Sequence, residues 1–230
     1  MRILHIETAT GVCSAALSQG EKLLAERTVN EANVHAERLT VFCEEIMQEA
    51  GMAFSQLDAV CVSKGPGSYT GLRIGVSAAK GFCYALNIPL LAVNTLEALA
   101  HGMRQEAAPG TLLCPMLDAR RMEVYYALYN ENAEEVQATA PLVVDAGSFA
   151  AVLEKQPVLF AGDGMPKCRP LLESFANAQF STVLPAARHL IAPALKKLAA
   201  GDVEDIAWFE PFYLKTFQPG PVRSGGGEQN

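Results

Sequence analysis

The 230-residue chain is acidic, with 18 basic residues, 25 acidic residues and a formal net charge of −7. This balance argues against a protein that holds nucleic acid by itself, because phosphate contacts need clustered Lys and Arg. Half of the residues are hydrophobic, which is enough for one large or two small packed domains. No apolar run reaches about 18 residues and the chain begins directly on a strand pattern, so we expect neither a membrane span nor a secretory signal.

The six cysteines are spread along the chain, at positions 13, 43, 61, 83, 114 and 168, and none forms a C-x-x-C pair. Most of them lie in apolar runs. We therefore expect reduced, buried thiols in a cytoplasmic protein, and neither a zinc site nor a disulfide framework.

The first half of the chain begins with strand patterns and continues with alternating helix and strand patterns. Two of the early strands are joined at Gln19-Gly20 and should form an antiparallel hairpin. A short apolar run at 57–62 is typical of a strand that is buried on both faces. The predicted strands lie within 1–10, 12–18, 23–29, 57–62 and 88–93, and the predicted helices within 34–50, 72–86 and 94–101, the last capped by Thr95.

Small, structure-breaking residues at 107–111 mark the boundary to a second half that also opens with strands. Its predicted strands are 112–117, 124–129, 136–144 and 158–161, and its predicted helices are 148–155, 168–176 and 186–200. The sequence thus predicts an α/β fold of two half-domains, 1–108 and 109–216. Each should contain a mixed sheet that opens with antiparallel strands and is flanked by helices. The polar residues 217–230 should form a flexible tail.

A glycine-rich loop, Gly65-Pro66-Gly67-Ser68, joins the buried strand to the following helix. Ser68 or Thr70 can cap this helix, and the loop can present backbone amides to an anion. A P-loop is excluded because no Lys-Ser/Thr pair follows, and a dinucleotide fingerprint fails because Thr70 occupies its third glycine position. A strand-to-helix turn that simply needs glycine dihedrals is an equal alternative.

The helix predicted at 72–86 has apolar side chains round its whole circumference. Such a helix must be covered on all sides. One side can lie on the sheet, and the other side needs a neighbouring helix, a second subunit or both. A partner interface and burial within the chain's own domain are equal alternatives.

The turn Glu7-Thr8-Ala9-Thr10 follows the first strand. In nucleotide-handling sheets a carboxylate and hydroxyls at this place can contact metal-bound phosphate. A tight turn whose hydroxyls satisfy the local backbone is the favoured alternative. The candidate nucleotide-site residues are Glu7, Thr8, Thr10, Gly65 and Gly67.

The densest charged cluster near a strand end is Asp118, Arg120, Arg121 and Glu123. It predicts either a charged binding surface or, more commonly, a solvated hairpin turn whose charges pair with each other.

Several segments resemble the TsaB (YeaZ) family, bacterial proteins of the tRNA threonylcarbamoyladenosine pathway. The resemblance is carried by residues 6–10, 65–75, 88–95 and 117–125, and residues 210–214 resemble the C-terminal end of that family. The match covers most of residues 1–130. It implies the fold of the actin-like ATPase and sugar-kinase superfamily, in which two actin-like (ribonuclease H-like) half-domains face a nucleotide cleft.

The catalytic relatives of that family, the TsaD proteins, carry two metal-binding histidines where this chain has Thr95 and Leu99. Neither residue is a good metal ligand. Residues 119–122 replace a small glycine-rich phosphate turn, and Glu7 stands where the superfamily usually has aspartate. The resemblance therefore implies a degenerate site with no catalytic residue, metal or cofactor of its own, and ATP or ADP at most at a complex interface.

The implied function is that of a non-catalytic subunit in the complex that transfers a threonylcarbamoyl group to the adenosine next to the anticodon of tRNAs reading A-starting codons. A TsaD-like catalytic subunit would bind through helices 34–50 and 71–87, while a TsaE-like ATPase and tRNA would join through the complex. The isolated chain would form a homodimer through the same apolar helix when its partner is absent. The predicted interface residues are Leu39, Phe42, Leu72, Arg73, Val76, Ala79, Lys80 and Cys83.

Two enzymatic alternatives remain open beside this implied function. The first is an independent ATPase of the actin-like class, and the second, which is strongly opposed by the missing histidines, is a metallopeptidase.

Overall fold

The computed structural model describes residues 1–31 and 33–214, in which two five-stranded mixed sheets are flanked by helices. The predicted tail at 217–230 lies outside the described residues. The first sheet contains β1 (Arg2–Glu7), β2 (Val12–Gln19), β3 (Lys22–Asn30), β4 (Ala59–Gly65) and β5 (Leu90–Asn94). The second contains β6 (Leu112–Asp118), β7 (Glu123–Tyr129), β8 (Glu135–Val143), β9 (Val158–Ala161) and β10 (Ala178–Phe180).

Both sheets have the same strand order, β3-β2-β1-β4-β5 in the first and β8-β7-β6-β9-β10 in the second. In each sheet the first three strands pair antiparallel and the last two add in parallel. Antiparallel neighbours need only short turns, whereas parallel neighbours need a crossover helix. The predicted α/β fold with two similarly opening halves is therefore confirmed.

Six α-helices cover the sheets in the described part of the chain. They are α1 (His35–Glu49), α2 (Tyr69–Leu86), α3 (Thr95–Met103), α4 (Ala150–Leu153), α5 (Met165–Leu172) and α6 (Ile191–Ala200), which follows a 3-10 helix at Ala187–Leu190. None of the helices within 1–31 and 33–214 combines the length and apolarity needed to cross a bilayer.

The structure corrects several element boundaries. Asn94, and not Thr95, caps α3, because its side-chain oxygen accepts the amide of Leu96 at 2.8 Å. Ser68, and not Thr70, caps α2 by accepting the amide of Gly71. The three-residue strand β10 carries too short a pattern to predict, and α5 begins at Met165, three residues before the predicted start.

Two helices connect the halves. Helix α3 packs its buried side chains on strands of the second sheet, and α6 packs on the first sheet together with the preceding 3-10 helix. The hydroxyl of Ser14 on β2 accepts the amide of Ala187 at 3.0 Å, which fixes that 3-10 helix to the first sheet. The boundary between the two sheets thus lies between Asn94 and Leu112. The division into domains 1–108 and 109–216 stays a prediction, because α3 and α6 each pack on the sheet of the other half.

Residues 204–214, called the C-terminal segment below, return to the first half. The amide of Glu204 donates to the carbonyl of Leu90 at 2.9 Å and forms an antiparallel bridge between this segment and the edge strand β5. The amide of Phe212 donates to the carbonyl of Lys64 at 2.7 Å, and the Lys80 amine donates to the carbonyl of Phe209 at 3.1 Å. The chain therefore covers part of α2 and of the glycine loop with its own C-terminal segment.

Candidate functional site

The carboxyl ends of the two first strands carry acidic side chains, Glu7 on β1 and Asp118 on β6. The loop after the fourth strand of each sheet lies against this end. In the first half the amide of Ser68 donates to the carbonyl of Ala9 at 2.6 Å, and in the second half the amide of Gly164 donates to the carbonyl of Met116 at 3.1 Å. In both halves the loop after the fourth strand therefore packs near the end of the first strand, at the place where the resemblance implies a nucleotide cleft.

Glu7 is fully buried. Its Oε1 accepts the amide of Ala9 at 2.7 Å and the hydroxyl of Ser63 at 2.9 Å, whereas Oε2 has no hydrogen-bond partner in the described part of the chain. Burial raises the pKa of Glu7 to about 7, and the nearby carboxylate of Asp163 acts in the same direction. Both the neutral and the charged form of this carboxyl group are therefore populated near neutral pH.

The two threonines of the turn make contacts within the chain. Thr8 donates its hydroxyl to the carbonyl of Gly71 at 2.8 Å, and the hydroxyl of Thr10 accepts the amide of Val12 at 3.2 Å. The ring of His35 also contacts the carbonyl of Thr10 at 2.9 Å. The Thr10 hydroxyl therefore satisfies a local backbone group, as in the favoured alternative of the sequence prediction, whereas Thr8 binds the distant first turn of α2.

The glycines of the loop are required by close contacts. A Cβ on Gly67 would lie 2.2 Å from the carbonyl oxygen of Ala9, and a Cβ on Gly71 would lie 2.1 Å from that of Thr8. Gly65 has a φ of +112°, and a Cβ there would lie 2.5 Å from the carbonyl oxygen of Phe212. Contacts within the chain thus account for these glycines, and nucleotide binding at Gly65 and Gly67 stays a prediction.

The two positions at which the resemblance implies that metal-binding histidines have been replaced are buried in this chain. Thr95 and Leu99 are both 0% exposed. Within residues 1–31 and 33–214, no three His, Cys, Asp or Glu side chains lie close enough together to hold a metal ion. The six cysteines are free and buried, as predicted, and burial raises the pKa of the Cys13 thiol to about 11 and that of Cys43 to about 12. Such thiols are protonated and unreactive at neutral pH.

Most of the predicted interface residues lie in the chain's own core. Leu39, Phe42, Leu72, Val76, Ala79 and Cys83 are at most 9% exposed, and all but Leu72 pack in one cluster with β1, β2 and β4. Burial of these six side chains in the isolated chain disfavours direct partner contacts at them, and the interface stays a prediction. The remaining two are Arg73, which is exposed and lies 5.0 Å from the ring centre of Tyr69, and Lys80, which is half-buried.

Helix α2 is covered on one side by the chain's own core and is exposed on the other side, so of the two alternatives full burial within the chain does not hold. Its outer face contains the exposed residues Ser77, Gly81 and Ala85, which follow one another at four-residue spacing, and Tyr84, which is 83% exposed. Residues four apart lie on the same face of a helix. The outer face of α2, meaning these four residues and Arg73, is therefore a row of small side chains bordered by an aromatic ring and a guanidinium group.

Two sheets of identical strand order, joined by helices and meeting at the ends of β1 and β6, define an actin-like ATPase type of fold. YeaZ from Pseudomonas aeruginosa superimposes on the chain with a TM-score of 0.75 at 28% identity, covering 93% of this chain and 99% of that one. An activator of 2-hydroxyisocaproyl-CoA dehydratase from Clostridium difficile, solved with bound ADPNP, shares the fold alone, with a TM-score of 0.52 at 9% identity over 89% and 99% of the two chains.

A family model described as "TsaD: tRNA N6-adenosine threonylcarbamoyltransferase" matches residues 22–209. The tRNA threonylcarbamoyladenosine biosynthesis protein TsaB of Bacillus subtilis is 31% identical over 220 residues, which is 94% of each chain. The protein of the same name in Escherichia coli is 30% identical over 94% of this chain and 95% of its own. The chain belongs to the TsaB (YeaZ) branch of this TsaD-type family, which confirms the resemblance.

Proposed function

We propose that the protein acts in the biosynthesis of threonylcarbamoyladenosine in tRNA, as a non-catalytic subunit that binds a TsaD-like catalytic protein. The names of the TsaB relatives support the pathway. The observation that carries the subunit role is the exposed outer face of α2, whose small side chains allow a partner helix to approach closely. The buried Thr95 and Leu99 support the absence of a catalytic metal site.

The other partners follow from this proposal. A TsaE-like ATPase and tRNA would join through the complex, since the net charge of −7 disfavours independent binding of tRNA. A homodimer through the outer face of α2 in the absence of the partner, ATP or ADP at the complex interface, and a cytoplasmic location all stay predictions.

The double variant Ser77→Arg/Ala85→Arg is expected to bind the TsaD-like protein of the same organism at least about a hundredfold more weakly than the wild type does, which corresponds to roughly 2.7 kcal/mol. Both positions are exposed, so the chain should still fold, but two long charged side chains would prevent a close helix approach. Isothermal titration calorimetry measures the affinity, and circular dichroism checks the fold.

Ala199→Arg is the matched control, because Ala199 is an exposed alanine on α6. Wild-type affinity in the double variant would contradict the proposal. Charges at Val76 or Ala79 are unsuitable for this test, since both residues are buried and an unpaired charge there would unfold the chain.

An independent ATPase is the second candidate, and one observation favours it: Oε2 of the buried Glu7 has no partner in the described part of the chain and could accept a ligand. Calorimetry of the isolated chain with ATP and Mg²⁺ separates the candidates. Binding and turnover that Glu7→Gln abolishes would support the ATPase and contradict a subunit that does no chemistry alone.

A further inference from the structure

The connection between β6 and β7, residues 119–122, carries two consecutive arginines in a backbone conformation that arginine rarely adopts. Arg120 has a φ of +72° and Arg121 a φ of +47°. The left-handed region is unfavourable for residues with a Cβ, and glycine or asparagine usually occupies such positions. Hydrogen bonds from the amide of Ala119 to Glu123 and from the amide of Glu123 to Arg120, each 3.0 Å long, nevertheless fix the turn. The fold therefore holds strained arginines where other residues would be more stable.

Neither guanidinium group is used by the fold. Arg120 and Arg121 are both exposed, and none of the ion pairs within 1–31 and 33–214 includes either of them. The adjacent carboxylate of Asp118 accepts the backbone amide of Arg120 at 2.9 Å and forms an ion pair with Lys167. The self-paired hairpin turn that the sequence favoured is therefore not formed by these two arginines.

The turn is held firmly at its base. Lys167 on α5 contacts the carboxylate of Asp118 and also donates to the carbonyl of Glu123 at 2.6 Å, so one amine holds both ends of the turn. The carboxylate of Asp163 accepts the amide of Asp118 at 3.1 Å from the neighbouring loop. The arginines thus extend from a positioned base, which reduces the entropy lost when they bind.

The chemistry of the turn selects one class of partner. Guanidinium groups bind carboxylates or phosphates through paired hydrogen bonds. The next residue, Met122, is 36% exposed, and Arg and Met are both enriched at protein–protein interfaces. The net charge of −7, with Asp118, Asp163 and Glu123 beside the turn, disfavours a polyanionic RNA backbone. These features fit carboxylate side chains on a protein surface.

We propose that residues 119–122 are a second docking element, which binds carboxylate side chains on the surface of a partner protein and is separate from the outer face of α2. The proposal rests on the proposed function, because the TsaD-like protein of the same organism is the partner tested. The strain in the turn is retained because the two arginines serve binding and not folding.

The test is the variant Arg120→Asn/Arg121→Gly, which removes both charges and introduces residues that tolerate positive φ. We expect a thermal unfolding midpoint at or above that of the wild type, together with at least tenfold weaker binding of the purified TsaD-like protein at 50 mM salt. This difference should shrink at 500 mM salt, because screening weakens the charged contacts. The variant Arg120→Lys/Arg121→Lys, which keeps the charges but loses the paired geometry, should bind with intermediate affinity.

Lys22→Asn/Lys155→Asn is the control, because it removes two exposed charges elsewhere and should bind like the wild type. Unchanged affinity of Arg120→Asn/Arg121→Gly would overturn the proposal while leaving the proposed function intact. A lowered unfolding midpoint would also overturn it, since the arginines would then serve the fold. The proposal would also be overturned if Arg120→Asn/Arg121→Gly assembled normally with the TsaD-like protein but the complex lost tRNA binding, because the arginines would then bind phosphate. If the wild type fails to bind the TsaD-like protein, the proposed function falls and this proposal falls with it.

Discussion

Replacing Gly71 by alanine is expected to lower the free energy of unfolding by about 3 kcal/mol, although alanine is the better helix former. Gly71 lies in the first turn of α2, and a Cβ there would lie 2.1 Å from the carbonyl oxygen of Thr8. The contact is with backbone, so no side-chain rotation can relieve it. Helix α2 would have to move away from β1, which would open the core cluster that both elements share.

The same helix supplies the control. Gly81 also lies inside α2 and is exposed, and a Cβ there would meet nothing within 4 Å. Gly81→Ala is therefore expected to raise the free energy of unfolding by up to about 1 kcal/mol, through helix propensity alone. Urea denaturation of both variants measures the two changes. Equal effects of the two substitutions would show that the close approach of α2 to Thr8 does not exist in solution.

This pair of glycines shows what the sequence could predict and where it failed. The glycine pattern correctly predicted a strand, a loop and a helix in succession, because glycine and proline end regular structure locally. It could not tell that Gly71 is required by contact with Thr8, which lies 63 residues earlier in the chain. Contacts between segments that are distant in the sequence cannot be predicted from a local residue pattern.

Helix α2 shows a second limit of prediction from sequence. Apolar residues all round the helix left open whether the chain itself or a partner covers each side, and the structure buries Val76 and Ala79 while it leaves Tyr84 and Ala85 exposed. The inward and outward faces cannot be separated when both are apolar or small. The C-terminal segment was not predicted to pack on this helix either, because it has no periodic pattern, although it contributes backbone hydrogen bonds and packs Ile206 and Phe209 against the core.

The candidate site was predicted in part. Glu7, Thr8, Thr10, Gly65 and Gly67 do lie together, because the carboxyl ends of the neighbouring parallel strands β1 and β4 meet at one edge of the sheet. The sequence did not indicate that Asp163 of the second half would approach Glu7 closely enough to raise its pKa. That approach depends on how the two sheets face each other, which only the folded chain specifies.

Glu7 gives the expectation with the clearest dependence on pH. Burial raises its pKa in the folded chain from an ordinary value of 4.5 to about 7. Below the unfolded pKa the carboxyl group is neutral in both states and its contribution to stability is fully present. As pH rises from 4.5 through 7, the carboxyl group ionises in the unfolded chain while it stays protonated in the folded chain. This contribution to stability is therefore lost. The shift corresponds to a loss of about 3 kcal/mol between pH 4.5 and pH 8.5.

Glu7→Gln cannot ionise, so it should escape this loss. Its amide keeps an oxygen that can accept from Ala9 and Ser63, although its NH₂ group replaces Oε2 and would have no partner in the described part of the chain. That missing hydrogen bond costs about 1 kcal/mol or more at every pH. The diagnostic quantity is therefore the difference in unfolding free energy between variant and wild type, which should move by about 3 kcal/mol in favour of the variant from pH 4.5 to pH 8.5.

The histidines act in the opposite direction and cancel in this comparison. Burial lowers the pKa of His5 to about 3, and lowers that of His101 and His189 to about 4. The stability that these rings contribute is present above their unfolded pKa near 6.5 and is lost as pH falls towards their folded values. Both chains carry the same three rings, so urea denaturation at matched pH isolates Glu7. Parallel stability curves for the two chains would mean that Glu7 titrates normally, and that water or a bound cation reaches its second oxygen.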